Sequence, residues 1–408
     1  MQKFSGMDYL KIDIASNFGL DKETWDTRLA WFDQHEDRLL DLIKEAKEPA
    51  LFYAGIQAWN AAQRGEASGY PISLDATASG LQLLAALTGD RSAGKLCNVV
   101  PDFSDEGVIQ RRDGYTLIYS HMLGAIGDTA KITREQAKDA VMTSLYGSTA
   151  VPREVFGEGR LLNVFYDTMG QLAPAAWELN QAFLDLWNPD ALSNDWVLPD
   201  NFHVHVKVMD QETHVAHFLN EPFEIHTKVN AAKKNGRSLG ANTIHSVDGM
   251  IVREMARRCN YDPQQVEAVL LALHLAEGVP FDPANDLQDT QMVRTLWKHY
   301  EESGYLSARI FDYLHSYNAM LVDADVVREL IASLPKKPFR VVSVHDCFRC
   351  LPNYGNDLRE QYILQLTLIA KSNLLSFLLS QLVGRQVQIG KLDPTMWQDI
   401  QKTEYALS

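Results

Sequence analysis

Apolar positions recur with a helical period through most of this chain and alternate with a period of two in only a few short stretches. That pattern predicts a mainly helical α+β protein. In residues 21–48, Trp25, Leu29, Phe32, Leu39, Leu40 and Ile43 fall at helical spacing, so they form the expected core face, with Asp21 as the N-cap. Asp26, Asp33, Asp37 and Asp41 lie off that stripe and are expected in solvent. A second helix is expected over 50–63. Gly69-Tyr70-Pro71 then interrupts the chain, and Ile72-Ser73-Leu74 leads into Asp75 as a short strand. The apolar run over 79–87 predicts a buried helix that stops near Gly89.

Residues 111–187 are expected to be mostly helical, with one helix over about 113–123. Another begins at Thr133, which has Gln136 three residues on as in a capping box, and ends at Gly147. Val204, Val206 and Val208 alternate with His203, His205 and Lys207, which predicts a β-hairpin over 203–226. Helical character returns over 247–259. Residues 260–338 form a separate helical block of alternating charge, with Pro, Asp and Asn punctuation over 280–285. Residues 339–344 are a strand leading into His345-Asp346, with 348–351 returning beside it. The most apolar stretch, 362–383, is broken by Gln365, Lys371, Asn373 and Gln381, so it is expected to be a buried helix and not a membrane span.

Composition narrows the function class. A chain of 408 residues with 46% hydrophobic content can bury a large core divided into two or three subdomains. The net charge of −15 has the wrong sign for a protein that grips nucleic acid unaided. Either a local basic surface or a partner must supply the positive charge, and residues 228–258 are locally basic. Cys97, Cys259, Cys347 and Cys350 are too few for a disulfide framework, and the lone Cys347-x2-Cys350 is expected to be two ordinary thiols. The opening Met-Gln-Lys-Phe-Ser-Gly lacks the apolar segment of a signal peptide, so a soluble, intracellular protein is expected.

Two strand-end carboxylates, Asp75 and Asp346, are the first candidates for chemistry. Phosphoryl transfer with two metal ions needs carboxylates from separate, rigid elements. Mg²⁺ keeps several waters and takes only one or two carboxylates plus substrate phosphates, so two aspartates suffice. Arg134, Lys138, Met142 and Tyr146 are successive i+4 neighbours and form one stripe on the 133–147 helix. That stripe spans about 18 Å at ~1.5 Å per residue, enough for a nucleoside triphosphate laid lengthwise. Phosphates would lie at the basic end and sugar and base at the tyrosine. Lys138 suits a β/γ-phosphate and can also protonate pyrophosphate. His245, in Asn242-Thr-Ile-His245-Ser-Val-Asp248-Gly249, is a candidate for contacting a ribose, although a histidine in such a setting is more often structural. Five histidines between His203 and His226 suggest a metal site only weakly, because alternating strand positions accumulate them without one.

These segments together resemble the single-subunit RNA polymerases of phages and mitochondria. Asp75-Ala-Thr-Ala-Ser79-Gly80-Leu-Gln82 is similar to that family's motif A, Arg134-x3-Lys138-x3-Met142-x3-Tyr146-Gly147 to motif B, and His345-Asp346-Cys-Phe to motif C. Thr243-Ile-His245-Ser246-x-Asp248-Gly249 resembles its ribose-contacting histidine segment. Trp196-Val-Leu-Pro199-Asp200-x-Phe202 has a counterpart, and Tyr405-Ala-Leu-Ser408 resembles its aromatic carboxyl terminus more weakly. The resemblance covers most of the chain apart from 260–338. It implies a right-hand polymerase: palm over 1–100, fingers over 101–250, palm again over 251–259, a helical insertion over 260–338, and palm with a C-terminal foot over 339–408. It implies that Asp75, the backbone carbonyl of Ala76, and Asp346 bind two Mg²⁺ ions. Arg134 and Lys138 would bind the incoming triphosphate beside Met142, Tyr146 and His245 would select ribose, and His345 would support the RNA end.

Some positions depart from the pattern. Ala76 stands where Gly is usual and Cys347 where Ser is usual, both small exchanges; Asp139 follows Lys138 where phage relatives carry a second basic residue. The family's thumb, promoter-recognition domain and upstream Arg motif have no counterpart here. The resemblance is therefore closest to the catalytic large subunit of the two-chain RNA polymerase II of N-four-type phages. It implies a smaller partner subunit, a preference for single-stranded DNA template, NTP substrates, RNA product, an accessory single-stranded-DNA-binding protein and, for a phage protein, the host cytoplasm. The alternatives are a family A-like DNA polymerase, which usually has Glu shortly after the motif A aspartate and an aromatic residue at the Met142 position, and a non-catalytic scaffold subunit. The 260–338 block is expected to be a docking surface, and whether the 203–226 hairpin reads DNA stays open.

Overall fold

The computed structural model describes residues 1–127, 132–219 and 221–408. From the N-terminus, α1 (Gly6–Ala15), α2 (Trp25–His35) and α3 (Pro49–Gln63) precede β1 (Ile72–Asp75). Helices α4 (Ser79–Thr88) and α5 (Arg91–Leu96) follow, then a small ladder of β2 (Asp102–Phe103) and β3 (Ile109–Gln110). Next comes a helical stretch: α6 (Gly114–Ile126), α7 (Arg134–Leu145), α8 (Ala150–Phe156), α9 (Arg160–Leu172) and α10 (Pro174–Asp185). Strands β4 (Ser193–Val197), β5 (His203–Lys207), β6 (Met209–Phe218) and β7 (Glu221–Asn230) lead to the 22-residue α11 (Ser238–Cys259). Helices α12 (Pro263–Leu275), α13 (Gln288–Ser303) and α14 (Ala324–Ala332) come before β8 (Val342–Val344) and β9 (Cys347–Cys350), and α15 (Gly355–Lys371), α16 (Leu374–Val383) and α17 (Trp397–Ile400) close the chain.

The sheet that organises the fold is antiparallel, in the order β1-β9-β8. Strand alternation gives it two faces. Ile72, Leu74, Phe348 and Cys350 point inward and are buried, with Phe348 against Tyr362 of α15 at 5.6 Å between ring centroids. Ser73, Asp75, Cys347 and Arg349 lie on the opposite face. Cys347 and Cys350 therefore point to opposite sides, and both are free thiols. Behind the sheet α4 is buried at every position from Ser79 to Thr88, and it stops where Gly89 takes the left-handed conformation at φ 69°. Both ends of the chain are tied to one aromatic centre. Arg28 and Arg359 each lie 4.8 Å from the Trp25 ring, and Tyr405 stacks on it at 5.4 Å. Arg359 donates to the carbonyls of Gln2 and Glu404, each at 2.9 Å.

Several boundaries differ from those expected. The N-cap of α2 is Thr24, whose hydroxyl accepts from Thr27 N, and not Asp21. The helix gives way to a 3-10 turn over Glu36–Leu42, where Arg38 leaves helical dihedrals. That shift in phase buries Leu42 and leaves Leu40 56% exposed. The 203–226 segment is two ladders, not one hairpin: β5 pairs back to β4, and the long hairpin is β6 with β7, from Met209↔Asn230 to Phe218↔Glu221. Val208 separates them by donating to Leu192 O and accepting from Ala231 N. The helix expected over 247–259 begins at Ser238, so His245 is helical. The apolar 362–383 stretch is two helices with a bend of 59° between their axes. Among the described residues, no single helix is long and apolar enough to cross a membrane.

The block expected over 260–338 has its own core, including Val269, Val293, Leu296, Ile310, Phe311 and Val327. It joins the rest of the molecule through buried charges. Asp200, fully buried, accepts from Arg253 at 2.6 and 3.1 Å and from Arg257 at 3.0 Å. Glu254, also fully buried, accepts from Arg257 at 2.7 Å, from Ala308 N at 3.0 Å and from the Ser307 hydroxyl. Arg309 closes the link by donating to Asp200 O at 2.8 Å.

Candidate active site

Asp75 ends β1 directly opposite Cys347, the first residue of β9, and the preceding residue Asp346 sits in the β8–β9 turn. Ala76 N donates to Asp346 O at 3.2 Å, so the two aspartates are neighbours across the end of one sheet. The free side of β1 is held as well: Ser408 N donates to Asp75 O at 2.9 Å and Thr77 N to Ala406 O at 3.3 Å. Below this loop the buried Gln82 fixes the backbone. Its amide nitrogen reaches Cys97 O at 3.0 Å and Ala406 O at 2.9 Å, while its carbonyl accepts from the Tyr362 hydroxyl at 2.7 Å. In the turn His345 adopts φ 56°, a left-handed conformation that costs an L residue about 1 kcal/mol. The surrounding sheet must hold that strain, as it does at many functional turns.

Helix α7 carries the expected stripe past this sheet end. Thr133 and Gln136 form the capping box, and Gly147 ends the helix at φ 82°. Two hollows of about 210 and 170 Å³ join along it, sharing Ala76, Thr77 and Tyr115. The first is lined by Asp75, Arg134 and Lys138; the second by Asp346, Met142 and Tyr146. The structure thus brings together every residue of the predicted stripe and both aspartates. His245 joins them from α11, its ring 4.5 Å from that of Tyr146. A Cβ added at Gly80 would lie 2.6 Å from the Tyr146 hydroxyl oxygen, so only glycine allows the tyrosine this position. A larger cavity of about 810 Å³ lies elsewhere, between α13 and α16, remote from these residues in the fold.

The electrostatics are uneven along the cleft. Arg134 is already engaged: it pairs with Asp113, donates to Thr116 Oγ1 at 2.7 Å and pairs with Glu135 at 2.6 Å. Lys138 has no ion-pair partner among the described residues. Burial pushes the Tyr146 hydroxyl above its ordinary pKa, with the charges of Asp248 and Asp346 acting in the same direction. Burial lowers His245, favouring a neutral ring. Burial and then the Asp346 charge push Asp248 up to about 6, against an opposing effect of His345. The Cys347 thiol is pushed up to about 12 by burial and by its hydrogen bond to Asp75.

Four contributors were not singled out as site residues from the sequence. Arg111 and Asp113, just before α6, and Tyr115, in its first turn, line the cleft, and Asp248 approaches Asp346 one helical turn beyond His245. Arg111 donates to Lys22 O at 2.8 Å and to Ser408 Oγ at 3.3 Å. Only the spacing of Asp248 from His245 carried a signal, since i+3 residues share a helix face. The donor set suits Mg²⁺: two rigid aspartates, with no group of three metal-ligating side chains among the described residues, leave room for the water and substrate oxygens a hard octahedral ion requires. It does not suit zinc, which prefers three or four protein ligands.

Sequence comparison now bears on this cleft. Residues 3–164 match the family model described as DNA-dependent RNA polymerase. A DNA-directed RNA polymerase of Pseudomonas phage phiKMV is 29% identical across 35% of this chain and 21% of its own length. A probable DNA-directed RNA polymerase of Neurospora crassa is 30% identical across 35% of this chain and 18% of its own. The mitochondrial DNA-directed RNA polymerase of Schizosaccharomyces pombe is 30% identical across 36% of this chain and 14% of its own. The match spans about a fifth or less of these relatives' length. The family match contains Asp75 and all of α7, while His245 and Asp346 lie beyond it. Residues 3–164 are thus similar to the DNA-dependent RNA polymerase family model, and about a third of the chain is similar to phage and mitochondrial DNA-directed RNA polymerases.

Proposed function

We propose that this chain is the catalytic subunit of a DNA-directed RNA polymerase that joins NTPs to the 3′-hydroxyl of RNA. The observation that carries the reading is the single cleft that holds Asp75 and Asp346 between a basic end, Lys138, and a sugar-sized end, Tyr146 with His245. In this reading 1–100, 251–259 and 339–408 act as palm and foot, 101–250 as fingers, and 260–338 as a docked insertion. Asp75, Asp346 and the Ala76 carbonyl would hold two Mg²⁺ ions, which would supply activation of the attacking hydroxyl and charge neutralisation at the leaving pyrophosphate. Lys138, without an ion-pair partner among the described residues, grips the β/γ-phosphates and donates a proton to pyrophosphate from Nζ. Arg134 assists once the phosphates displace its contact with Asp113. His345, held in its strained turn, supports the RNA end.

Ribose selection follows from the space around Gly80. The Tyr146 hydroxyl fills the volume a side chain there would occupy. A carboxylate side chain of the kind DNA polymerases usually carry at this point would expel it. The hydroxyl and the neutral His245 ring are therefore available to the 2′-hydroxyl of an incoming ribonucleotide. Tyr146→Phe removes one hydrogen bond of about 1 kcal/mol, so discrimination for NTP over dNTP is expected to fall roughly 5-fold, through a raised KM for NTPs at a nearly unchanged maximal rate. Competitive incorporation assays measure this ratio, and an unchanged ratio would remove Tyr146 from ribose selection.

Arg111 supplies a second cationic wall near Asp75 without a carboxylate partner at ion-pair distance among the described residues. Arg111→Gln is expected to raise KM for NTP about 5-fold, the loss of one charged hydrogen bond, with Arg111→Lys restoring part of it. Initial rates at varied NTP decide the point, and unchanged KM would confine Arg111 to a structural role.

Two features favour the partner subunit. The net charge is −15. On the Asp75 face of the sheet, Val342 and Val344 stand 51% and 55% exposed beside the reaction centre, a surface suited to cover by another chain, as in the N-four-type enzymes. The test is labelled-NTP incorporation on single-stranded DNA by the chain alone and with each co-expressed candidate partner. Incorporation of dNTPs as readily as NTPs would favour the DNA polymerase reading. Full activity of an Asp346→Asn complex would make the chain a scaffold.

A further inference from the structure

The chain's acidic balance leaves its nucleic-acid contacts to local surfaces, and one such surface lies next to the cleft. At the root of the β6–β7 hairpin a cavity of about 550 Å³ is lined by Lys207, Lys233, Arg237, Asn235, Asn242 and Trp187, with no acidic side chain in its wall. In a protein of net charge −15, three cations without a lining carboxylate form a distinctly positive site. Lys207 and Arg237 have no carboxylate within ion-pair distance among the described residues. Lys233 meets Asp210 at 3.5 Å, but both are more than 40% exposed, so that pair is weak and exchangeable.

The cavity is built, and it adjoins the reaction centre. Trp187 Nε1 donates to Lys233 O at 2.8 Å, which anchors the indole in the wall, and Gly236 packs so closely on the ring that a side chain there would collide with it. Arg237 O lies 3.0 Å from where a Cβ on Gly147 would stand, so the basic wall begins where α7 ends after Tyr146. Helix α11 then runs from Ser238, in the wall, to His245 in the cleft. Those seven residues cover about 10 Å at ~1.5 Å per residue, or about three steps of a stacked strand at ~3.4 Å each.

We propose that this cavity binds the phosphodiester backbone of single-stranded template within a few nucleotides of the base at Tyr146 and His245. The proposal rests on the polymerase reading and gives its template a path. Lys207, Lys233 and Arg237 neutralise phosphates, Asn235 and Asn242 donate hydrogen bonds, and none of them reads a base. Binding is therefore independent of sequence and falls steeply with salt.

The test uses the full chain, with its partner where the two purify together, and fluorescein-labelled oligo(dT) of twelve nucleotides in a KCl series read by anisotropy. The combined variant Lys207→Gln, Lys233→Gln, Arg237→Gln is expected to weaken binding about 10-fold and to reduce the slope of log K against log salt by about 2, at ~0.7 per lost phosphate contact. KM for NTP on saturating template is expected to stay within about 2-fold, because these residues lie outside the triphosphate end. Lys228→Gln with Lys234→Gln removes two nearby exposed charges and is expected to reduce affinity much less. Equal loss in both variants, or unchanged affinity and slope in the first, would overturn the proposal. So would loss of partner capture with DNA binding intact, which would make the cavity a protein-binding surface. Wild-type NTP incorporation is measured separately, so failure of the polymerase reading and failure of this site give different results.

Discussion

Asp346→Asn is expected to lower NTP incorporation by about 10³-fold or more while leaving the protein folded. In the proposed reading, removing one metal-ligand charge forfeits several kcal/mol of transition-state stabilisation, and ~1.36 kcal/mol corresponds to a tenfold change in rate. The same change relieves repulsion in the folded state. Asp346 is one of the charges that push Asp248 up to about 6 and raise the Tyr146 hydroxyl. Thermal stability should therefore be unchanged or slightly higher. The pairing of β1 with β9 and the Ala76–Asp346 backbone contact do not involve the lost charge. Incorporation assays and circular-dichroism melts on the same preparations separate the two effects. A rate within 10-fold of wild type would remove Asp346 from the reaction, and a large fall in melting temperature would reassign it to structure. Asp75→Asn should behave in the same way. Cys347→Ala, which removes thiol hydrogen bonds with Asp75 and Arg349, should cost far less.

The parts of this centre that could be read from the sequence were those fixed by local rules. The period-two run before Asp75 gave β1 to the residue, and Thr133 with Gln136 gave the start of α7, because a capping box is a local hydrogen-bond pattern. The i+4 stripe survived because a straight helix keeps its phase. Where the phase broke, the reading failed. The change from α to 3-10 geometry after His35 exchanged Leu40 for Leu42 in the core. The start of α11 was missed because Ser238-Leu-Gly-Ala-Asn has little apolar periodicity, and Gly240 lets the helix pack close on Phe183, whose Cβ would lie 3.0 Å from a Cβ at that position. Arg111 and Asp113 were invisible for a different reason. They reach the cleft only because the 98–113 loop folds back along β1, through Asn98 to the backbone of Arg112 at 2.7 and 2.9 Å, a tertiary relation with no spacing to announce it.

Asp200→Ala is expected to cost about 3–5 kcal/mol of stability, the loss typical of breaking a buried ion pair by removing one partner. Burial pushes the Asp200 carboxyl up, and Arg253 and Arg257 outweigh it, holding the group below its ordinary pKa. A depressed folded-state pKa means that the contribution is present above the unfolded value of ~3.9 and is lost as pH falls through the folded pKa. Wild-type and variant stabilities should therefore differ at pH 7 and converge in acid below that range. The variant also leaves Arg253 and Arg257 facing each other without the shared carboxylate, and Arg257 keeps only Glu254. Because Arg309 donates to the backbone of Asp200 and Ser307 to Glu254, the damage falls on the joint between α11 and the helical block. That block has its own core, so the variant is expected to unfold in urea with lower cooperativity, and the reaction centre should lose activity only in proportion to the unfolded fraction. Asp200→Asn, which keeps the shape and the acceptor but not the charge, should fall between the two. A loss below about 1 kcal/mol at pH 7, in the range of an exposed pair, would show that the Asp200–Arg253–Arg257 cluster does not hold the two cores together.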